Sequence, residues 1–236
     1  MFRLSITLVF TFACAPLIFA QEDHQYEGGG FVGGSLLAGG FQFPTAVSGS
    51  EPGTSRTVGV HYASGYHIGA RIGENLGDFW AADLEYSFAN QPLRFTNLSP
   101  NIQSLSLGHS IHHFSYSVSY LAPVGLDRFR PYGKIGFGGT LFDIHGTSKD
   151  EALGLGVKLR DSWKFTLNWG GGFKYLVDDQ TVLTFDVKDF VSGIPSYGLP
   201  FSAQLVNGQY QPGLSRTGRL HNVQLNVGVA FRWNEW

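Results

Sequence analysis

Alternation of apolar and polar residues with a period of two is the feature that most constrains how this 236-residue chain can fold. Between Phe79 and Phe88, apolar side chains occupy every second position, and small or charged residues lie between them. The segment from Val223 to Trp233 repeats this pattern. Because successive side chains of a β-strand point to opposite sides, each segment predicts a strand with one apolar face and one polar face.

Six further segments carry the same alternation or a glycine-rich version of it. They are Gly30–Phe43, Tyr66–Ile72, Phe114–Tyr120, Ile135–Leu141, Trp169–Tyr175 and Leu183–Val187. The first is so rich in glycine that its sequence does not indicate which of its residues belong to the apolar face and which to the polar face. No long segment has the 3.6-residue apolar period of an amphipathic helix, so the pattern predicts an all-β chain of eight strands.

The connections between these strands alternate in length. Glu74–Asp78, Ala122–Phe129 and Val177–Gln180 are short, whereas Pro44–Thr57, Asn90–Gly108, Asp143–Trp163 and Val191–Gly218 are long. An even number of antiparallel strands joined in this way is the plan of a bacterial outer-membrane barrel, with turns in the periplasm and loops outside. We therefore predict an eight-stranded antiparallel up-and-down transmembrane β-barrel.

The amino terminus has the layout of a secretory signal peptide. A positive start at Arg3 precedes the apolar run Leu4–Phe19, and Ala20 is followed at once by polar residues. We predict cleavage after Ala20, which makes residues 1–20 the signal and residues 21–236 the barrel domain. A lipoprotein signal at Cys14 is the alternative. Cleavage after Ala20 removes this single cysteine, so the exported chain has no disulfide.

The charge content fits a barrel wall that faces lipid. Only 14% of the residues are charged, against roughly 25% in an ordinary soluble domain. The formal net charge is -2, without the basic excess of a nucleic-acid binder. An eight-stranded barrel is just wide enough inside to be filled by side chains, so we predict a packed lumen with a network of paired charges. By alternation, its members are Arg71, Asp83, Glu85, Lys134, Lys174, Asp186, Lys188 and Arg232.

Aromatic residues near the strand ends predict two belts at the membrane surfaces. Trp80, Tyr120, Tyr175 and Trp233 lie beside short turns or the chain end, and Phe43, Tyr62, Phe88, Phe142 and Phe165 lie beside long loops. A soluble β-sandwich is the alternative, but it leaves the export signal, the loop asymmetry and the belts without a common explanation.

Three segments resemble the small eight-stranded OmpA/OmpX/Opa-type outer-membrane barrels. Residues 130–139 (RPYGKIGFGG) and 169–175 (WGGGFKY) are similar to recurrent strands of that family. Residues 226–233 are similar to its carboxy-terminal assembly signal, with Asn226, Gly228, Phe231 and Trp233 in the signal positions and either Trp233 or Trp236 as the terminal aromatic. The resemblance implies a bacterial outer-membrane location, a wall in contact with outer-membrane lipids, and insertion by the barrel assembly machinery.

One motif invites an enzymatic interpretation. His113 and Ser115 form a His-x-Ser pair, which resembles the pair that outer-membrane lipid A deacylases carry on a barrel strand. In that family the pair faces the lipid, whereas alternation here places both residues on the polar, luminal face. His112 points opposite to His113, so the histidine cluster at 109–113 predicts no metal site. We therefore expect neither catalysis nor a cofactor.

These patterns predict a monomeric barrel with a structural or adhesin-like role through its extracellular loops. The loops Asp143–Trp163 and Val191–Gly218 are the candidate contact surfaces for an extracellular partner, with Tyr197, Phe201 and Tyr210 in the second. A lipid A deacylase-like enzyme and a small low-conductance channel are the alternatives.

Overall fold

The computed structural model describes residues 25–37, 45–48, 55–99, 102–123, 128–200, 204–206, 209–211 and 218–234. The predicted signal peptide lies outside these ranges. Within them the strands are β1 (Gln25–Leu37), β2 (Thr45–Ser48), β3 (Ser55–Tyr62), β4 (Gly65–Leu76), β5 (Trp80–Asn90), β6 (Leu93–Ser99), β7 (Ile102–Leu107), β8 (His109–Leu121), β9 (Phe129–Ile144), β10 (Ser162–Leu176), β11 (Thr181–Gly193), β12 (Gln204–Val206), β13 (Gln209–Gln211) and β14 (Arg219–Asn234). The helix α1 spans Gly146–Gly154.

Eight of these strands close into an antiparallel barrel in the order β1-β4-β5-β8-β9-β10-β11-β14. The first and last strands complete the closure, since β1 pairs with β14 from Gln25↔Asn234 to Leu37↔Asn222. The predicted eight-stranded barrel is confirmed. Its first strand starts at Gln25 instead of Gly30, and residues 38–43 of the predicted strand lie outside the described part of the chain.

The barrel wall is apolar on its outer surface and polar inside. Leu84 is 59% exposed on the outer wall, while its neighbours Asp83 and Glu85 turn inward. On β14, Phe231 points outward and Asn226 is buried inside. This is the reverse of a soluble barrel and is the arrangement that an outer solvent of lipid requires.

The aromatic belt beside the short turns lies where the sequence predicts it. Trp80, Tyr120, Tyr175 and Trp233 are all exposed on the outer wall.

The second predicted belt is only partly correct. Phe165 is exposed on the outer wall, but Phe142 is buried inside, because it falls on the inward-facing alternation of β9. Tyr62 belongs to β3, outside the barrel, and packs against the buried core described below. Phe43 lies outside the described residues.

Close approach of backbones explains part of the glycine content of β1. A Cβ atom at Gly33 would lie 1.7 Å from the carbonyl oxygen of Leu225 on β14. Opposite β1, a Cβ atom at Gly69 would lie 2.2 Å from the ring of Phe31, which points into the lumen. Only residues without a side chain fit at these two points.

Two of the short connections are tight turns. Gly77, between β4 and β5, has a φ of 72°, which glycine adopts without strain. Between β10 and β11, a carboxylate oxygen of Asp178 accepts hydrogen bonds from the backbone amides of Gln180 and Thr181, at 2.9 and 2.7 Å. These bonds lower the pKa of the Asp178 carboxyl.

The long connections carry additional structure at the other end of the barrel. β2, β3, β6 and β7 form a four-stranded sheet in the order β2-β3-β6-β7, and β12 pairs with β13. We call these connections and the adjoining barrel ends the cap, and together they enclose a buried apolar core. Its members are Ala89, Leu93, Phe95, Leu105, Leu107, Ile111, Phe142, Ile144, Ala152, Val157, Leu159, Tyr197, Leu199 and Leu220.

No helix among the described residues is long and apolar enough to cross a membrane.

Candidate functional site

The structure brings all eight charged residues predicted for the lumen into ion pairs inside the barrel. They fall into two groups. A central group comprises Arg71, Asp83, Glu85, Lys134, Asp186 and Lys188, and a lower group, near the short turns, comprises Lys174, Arg232 and one further residue, Glu27.

Lys188 and Glu85 form the tightest pair of the central group. The Nζ atom of Lys188 lies 2.5 and 2.6 Å from the two carboxylate oxygens of Glu85. Lys134 contacts Asp83 at 2.8 Å and Glu85 at 3.5 Å. All four side chains are nearly or fully buried, so their charges are desolvated and each depends on its partner.

Asp186 contacts the other polar side chains around the central group. It accepts hydrogen bonds from the hydroxyl of Tyr132 at 2.9 Å and from the side-chain amide of Asn226 at 2.5 Å. Arg71 lies 3.6 Å and Lys188 3.5 Å away. The central group thus contains three cations and three carboxylates, and its formal charge is zero.

The lower group is built around Glu27, which the sequence analysis did not include. Its carboxylate accepts from Lys174 at 2.6 Å and from Arg232 at 2.8 Å. The glycine-rich sequence of the first strand does not indicate which of its residues face inward. In the structure, Val32 and Leu36 are exposed on the outer wall, and alternation back along β1 then places Glu27 on the inner face.

A small cavity lies against both groups. It has a volume of about 20 Å³ and is lined by Glu27, Arg71, Asp83, Tyr132, Lys134 and Lys174, among others. That volume holds about one water molecule. Side chains fill most of the lumen at this end.

Aromatic and histidine rings fill the lumen above the charges. The ammonium of Lys188 lies 4.5 Å from the ring centroid of Phe31, within the range of a cation–π contact. Higher up, His113 stacks on Phe190 with ring centroids 4.2 Å apart.

His113 and Ser115 both point into the lumen and are buried. The Nε2 atom of His113 accepts a hydrogen bond from the amide of Asn222 at 3.1 Å. Its Nδ1–H then donates to the hydroxyl of Thr140 at 2.8 Å. Since both ring nitrogens are engaged, His113 has none left to activate Ser115, and the lumen keeps both residues away from lipid. The geometry does not support the deacylase-like alternative.

The histidines of the 109–113 cluster lie in three different environments. His113 lies in the lumen, His109 lies in the cap, and His112 points outward, with its Nδ1 atom 2.9 Å from the hydroxyl of Tyr86. Nowhere in the described ranges do three or more His, Cys, Asp or Glu side chains group as ligands for a metal ion.

A chain of buried hydrogen bonds runs through the cap. The Nδ1–H of His109 donates to the carbonyl of Gln91 at 3.0 Å, so that the Nε2 atom of the neutral ring accepts from Tyr197 at 3.1 Å. The hydroxyls of Tyr197 and Tyr62 are 2.9 Å apart. Burial raises the pKa of both tyrosines.

Tyr197 therefore corrects one prediction. It was predicted to contribute to a contact surface, but its side chain is fully buried and its backbone has a φ of 48°, unusual for a bulky residue. The apolar core holds Tyr197 in place. Phe201 lies outside the described residues, and Tyr210 belongs to β13.

Below the cap, polar side chains continue the packing into the lumen. The amide of Gln91 donates to the hydroxyl of Ser35, which donates to Asn222, both at 2.7 Å. Asn222 in turn donates to His113. Cap and lumen are thus connected by hydrogen bonds within the described residues.

A match to a protein family identifies the kind of protein to which this barrel belongs. Residues 5–232 match the family described as outer membrane protein beta-barrel domain. The chain belongs to this family. Its location is the bacterial outer membrane, so the short turns face the periplasm and the cap lies outside the cell.

Solved structures of outer membrane barrels have the same fold at low sequence identity. The outer membrane protein OprG of Pseudomonas aeruginosa is 16% identical, with a TM-score of 0.53 over 92% of this chain and 98% of that one. Neisserial surface protein A is 11% identical, with a TM-score of 0.50 over 89% of this chain and 97% of that one. No curated protein sequence matches significantly.

The residues of the predicted assembly signal divide between the two faces of β14 in this outer-membrane barrel. Asn226 and Gly228 lie on the luminal face, and Phe231 and Trp233 are exposed to lipid. Trp236 lies outside the described residues. Which aromatic ends the signal stays a prediction.

Proposed function

We propose that this outer-membrane barrel is a closed-lumen surface protein that binds an extracellular partner through its cap. The observation that carries the proposal is the filling of the barrel at two levels. Buried ion pairs occupy the centre and the periplasmic end of the lumen, and the apolar core of the cap lies at the extracellular end.

Ion pairs inside the barrel disfavour a channel. An ion that enters from the periplasm meets first the lower group and then the central group of zero net charge, whose members already satisfy one another. To pass, it has to displace pairs whose separation in a desolvated site costs several kcal/mol, on the order of 3–5. A water column is equally disfavoured, because the cavity beside these charges has a volume of only about 20 Å³.

The cap has a polar outer face suited to contact with a partner. In the sheet of β6 and β7, Phe95 and Leu105 point into the core, while Arg94, Ser104 and Ser106 are exposed. The guanidinium Nε of Arg94 donates to the hydroxyl of Ser104 at 3.1 Å, which orders the cation on the surface. A rigid scaffold that presents polar side chains in this way is typical of binding surfaces.

Electrical recording tests the closed lumen. Folding of the purified barrel is verified by heat-dependent migration of unboiled protein on a detergent gel, and its insertion by co-flotation with liposomes of the lipid used. The barrel is then reconstituted into planar bilayers of the same lipid. We expect no steady conductance. A reproducible open level from verified, folded protein would contradict the closed lumen and favour the channel alternative.

Binding by whole cells tests the cap. Cells that display the barrel are screened against arrays of glycans and matrix proteins, and any ligand found is retested with Arg94→Ala. Lys158→Ala, which removes an exposed cation from the connection between β9 and β10, is the matched control. We expect Arg94→Ala to weaken binding and Lys158→Ala to retain it. Equal binding by all three chains would contradict a site on the β6–β7 face.

A further inference from the structure

The small cavity that lies against both charged groups is close to the periplasmic surface. Its volume is about 20 Å³, and its lining includes Gly73, Asn75 and Ala81. These residues lie near the turn that joins β4 to β5, and this turn faces the periplasm. A space of this size holds one water molecule or one monatomic ion, and it is too small for a phosphate or a carboxylate group.

Three of the side chains that line the cavity are buried cations. Arg71 and Lys174 are each 9% exposed, and Lys134 is 3% exposed. Two carboxylates that face the lumen, those of Glu27 and Asp83, line the cavity with them. The inward-facing side chains around the cavity therefore carry a formal charge of plus one, from three cations and two carboxylates.

Glu74 also borders the cavity, but its side chain does not face the lumen. Its two neighbours on β4 do. A Cβ atom at Gly73 would lie 2.8 Å from the Cβ atom of Asp83, and the side-chain amide of Asn75 donates to Glu27 at 3.1 Å. Because successive side chains of a strand point to opposite sides, Glu74 points away from the lumen and does not balance the charge there.

The same excess of positive charge is present in the lower group as a whole. Lys174 and Arg232 share one carboxylate, that of Glu27. Its Oε1 atom already accepts from Arg232 and Asn75, and its Oε2 atom accepts from Lys174. Among the described residues, Glu27 is the only hydrogen-bond acceptor of the Lys174 ammonium, which has three N–H donors. A desolvated cation with unused donors and no counterion of its own is costly.

We propose that this cavity binds one chloride ion from the periplasm. An anion beside the Nζ atom of Lys174 neutralises the lower group and accepts the hydrogen bonds that Glu27 leaves unused. The hydroxyl of Ser119, a buried residue that lines the same cavity, provides a further donor. A water molecule fits the same space but does not balance the charge. The site is independent of the proposed function, because neither the cap nor an extracellular partner takes part in it.

Unfolding by urea in phosphatidylcholine vesicles tests the site. The barrel is unfolded in sodium chloride and in sodium gluconate, whose anion is too large for the cavity. Equal ionic strength keeps the screening of other charges the same in both salts. We expect the free energy of unfolding to rise by about 1.4 kcal/mol for each tenfold increase in chloride above the dissociation constant. It should not depend on the gluconate concentration.

Three variants separate the site from a general salt effect. Lys174→Met leaves one cation and one carboxylate, Arg232 and Glu27, in the lower group, so the dependence on chloride should disappear. Ser119→Asp places a fixed carboxylate in the wall of the cavity and should remove the dependence in the same way. Lys158→Met removes an exposed cation and, as the matched control, should retain it. Heat-dependent migration on a detergent gel checks that each variant folds.

Diffraction from crystals grown in sodium bromide locates the ion directly. We expect an anomalous peak in the cavity, beside the Nζ atom of Lys174. Bromide peaks confined to the protein surface would mean an adventitious ion only and would overturn the proposal. Equal stability of the wild-type barrel in chloride and gluconate would overturn it too, since the cavity would then hold water. A chloride dependence that Lys174→Met retains would also contradict it, because the effect would then arise elsewhere.

Discussion

Replacement of Lys188 by Met tests whether the lumen is held by charge balance. Lys188 is 1% exposed and lies against Glu85, Asp186 and the ring of Phe31. Met has a similar length and keeps the apolar contact with Phe31, so the substitution removes the charge with little change in volume. The central group then contains two cations and three carboxylates, and a buried charge of minus one is left uncompensated.

The expected loss of stability is about 3 kcal/mol. At an effective dielectric constant of about 20, two unit charges roughly 2.5 Å apart attract by about 6–7 kcal/mol, and the desolvation of the lysine offsets several kcal/mol of this. Removal of one partner from a buried pair typically costs about 3–5 kcal/mol. The lower end applies here, because Lys134 still lies 3.5 Å from Glu85 after the substitution.

The assay is equilibrium unfolding by urea in lipid vesicles, followed by tryptophan fluorescence. The double variant Lys188→Met/Glu85→Gln restores a neutral central group and should be more stable than Lys188→Met alone. Lys158→Met, on the exposed connection, is the control and should unfold like the wild type. The reasoning is refuted if Lys188→Met lies within about 1 kcal/mol of the wild type, or if the double variant is no more stable than the single one.

Three further predictions concern the cap and the first strand. Tyr197→Phe removes a hydroxyl that contacts Tyr62 and His109, so it should destabilise the cap by about 1–3 kcal/mol; hydrogen exchange of cap amides measures this, and unchanged protection would contradict it. Burial raises the pKa of Tyr62 and Tyr197 above the unfolded value of about 10. The stability of the cap should therefore be complete below about pH 10 and should fall as the pH rises further, while tyrosinate absorbance increases. A cap that persists while both tyrosines ionise would contradict this prediction. Gly33→Ala places a Cβ atom 1.7 Å from a β14 carbonyl and should prevent closure of the barrel, seen as loss of the heat-modifiable form, whereas Gly34→Ala, with open space around it, should fold normally.

The alternation of side chains and the alternating lengths of the connections together predicted the barrel, and its membrane setting then predicted that the apolar face points outward. On β5, Leu84 and Glu85 differ by one position and face lipid and lumen, respectively. A one-residue shift in strand register would place Leu84 in the lumen and Glu85 in lipid. The difference between these two environments therefore strongly specifies the register. The same rule placed Lys188 and Asp186 on the inner face, and ring closure then brought them near Glu85.

Two parts of the site could not be predicted in this way. Glycine carries no preference for either face, so the orientation of β1 followed only from pairing with its neighbours, and Glu27 was missed as a result. The cap depends on contacts between distant connections, such as the one between Tyr62 and Tyr197, which are 135 positions apart. Local periodicity contains no information about such contacts.

The position of the cap core explains why long connections need not make this barrel flexible at its surface. Phe95 and Leu105 come from one connection, Leu159 from a second and Tyr197 from a third, yet all four belong to one buried core. Each connection alone buries too little apolar surface to offset the conformational entropy that it loses on ordering. In a shared core, the apolar surface that the connections bury together offsets this loss. An extracellular surface built in this way can present Arg94 and its neighbours in a fixed geometry, which lowers the entropic cost of binding a partner. The filling of the lumen and the ordering of the surface therefore have one physical origin, the burial of inward-facing side chains by a narrow barrel and its connections.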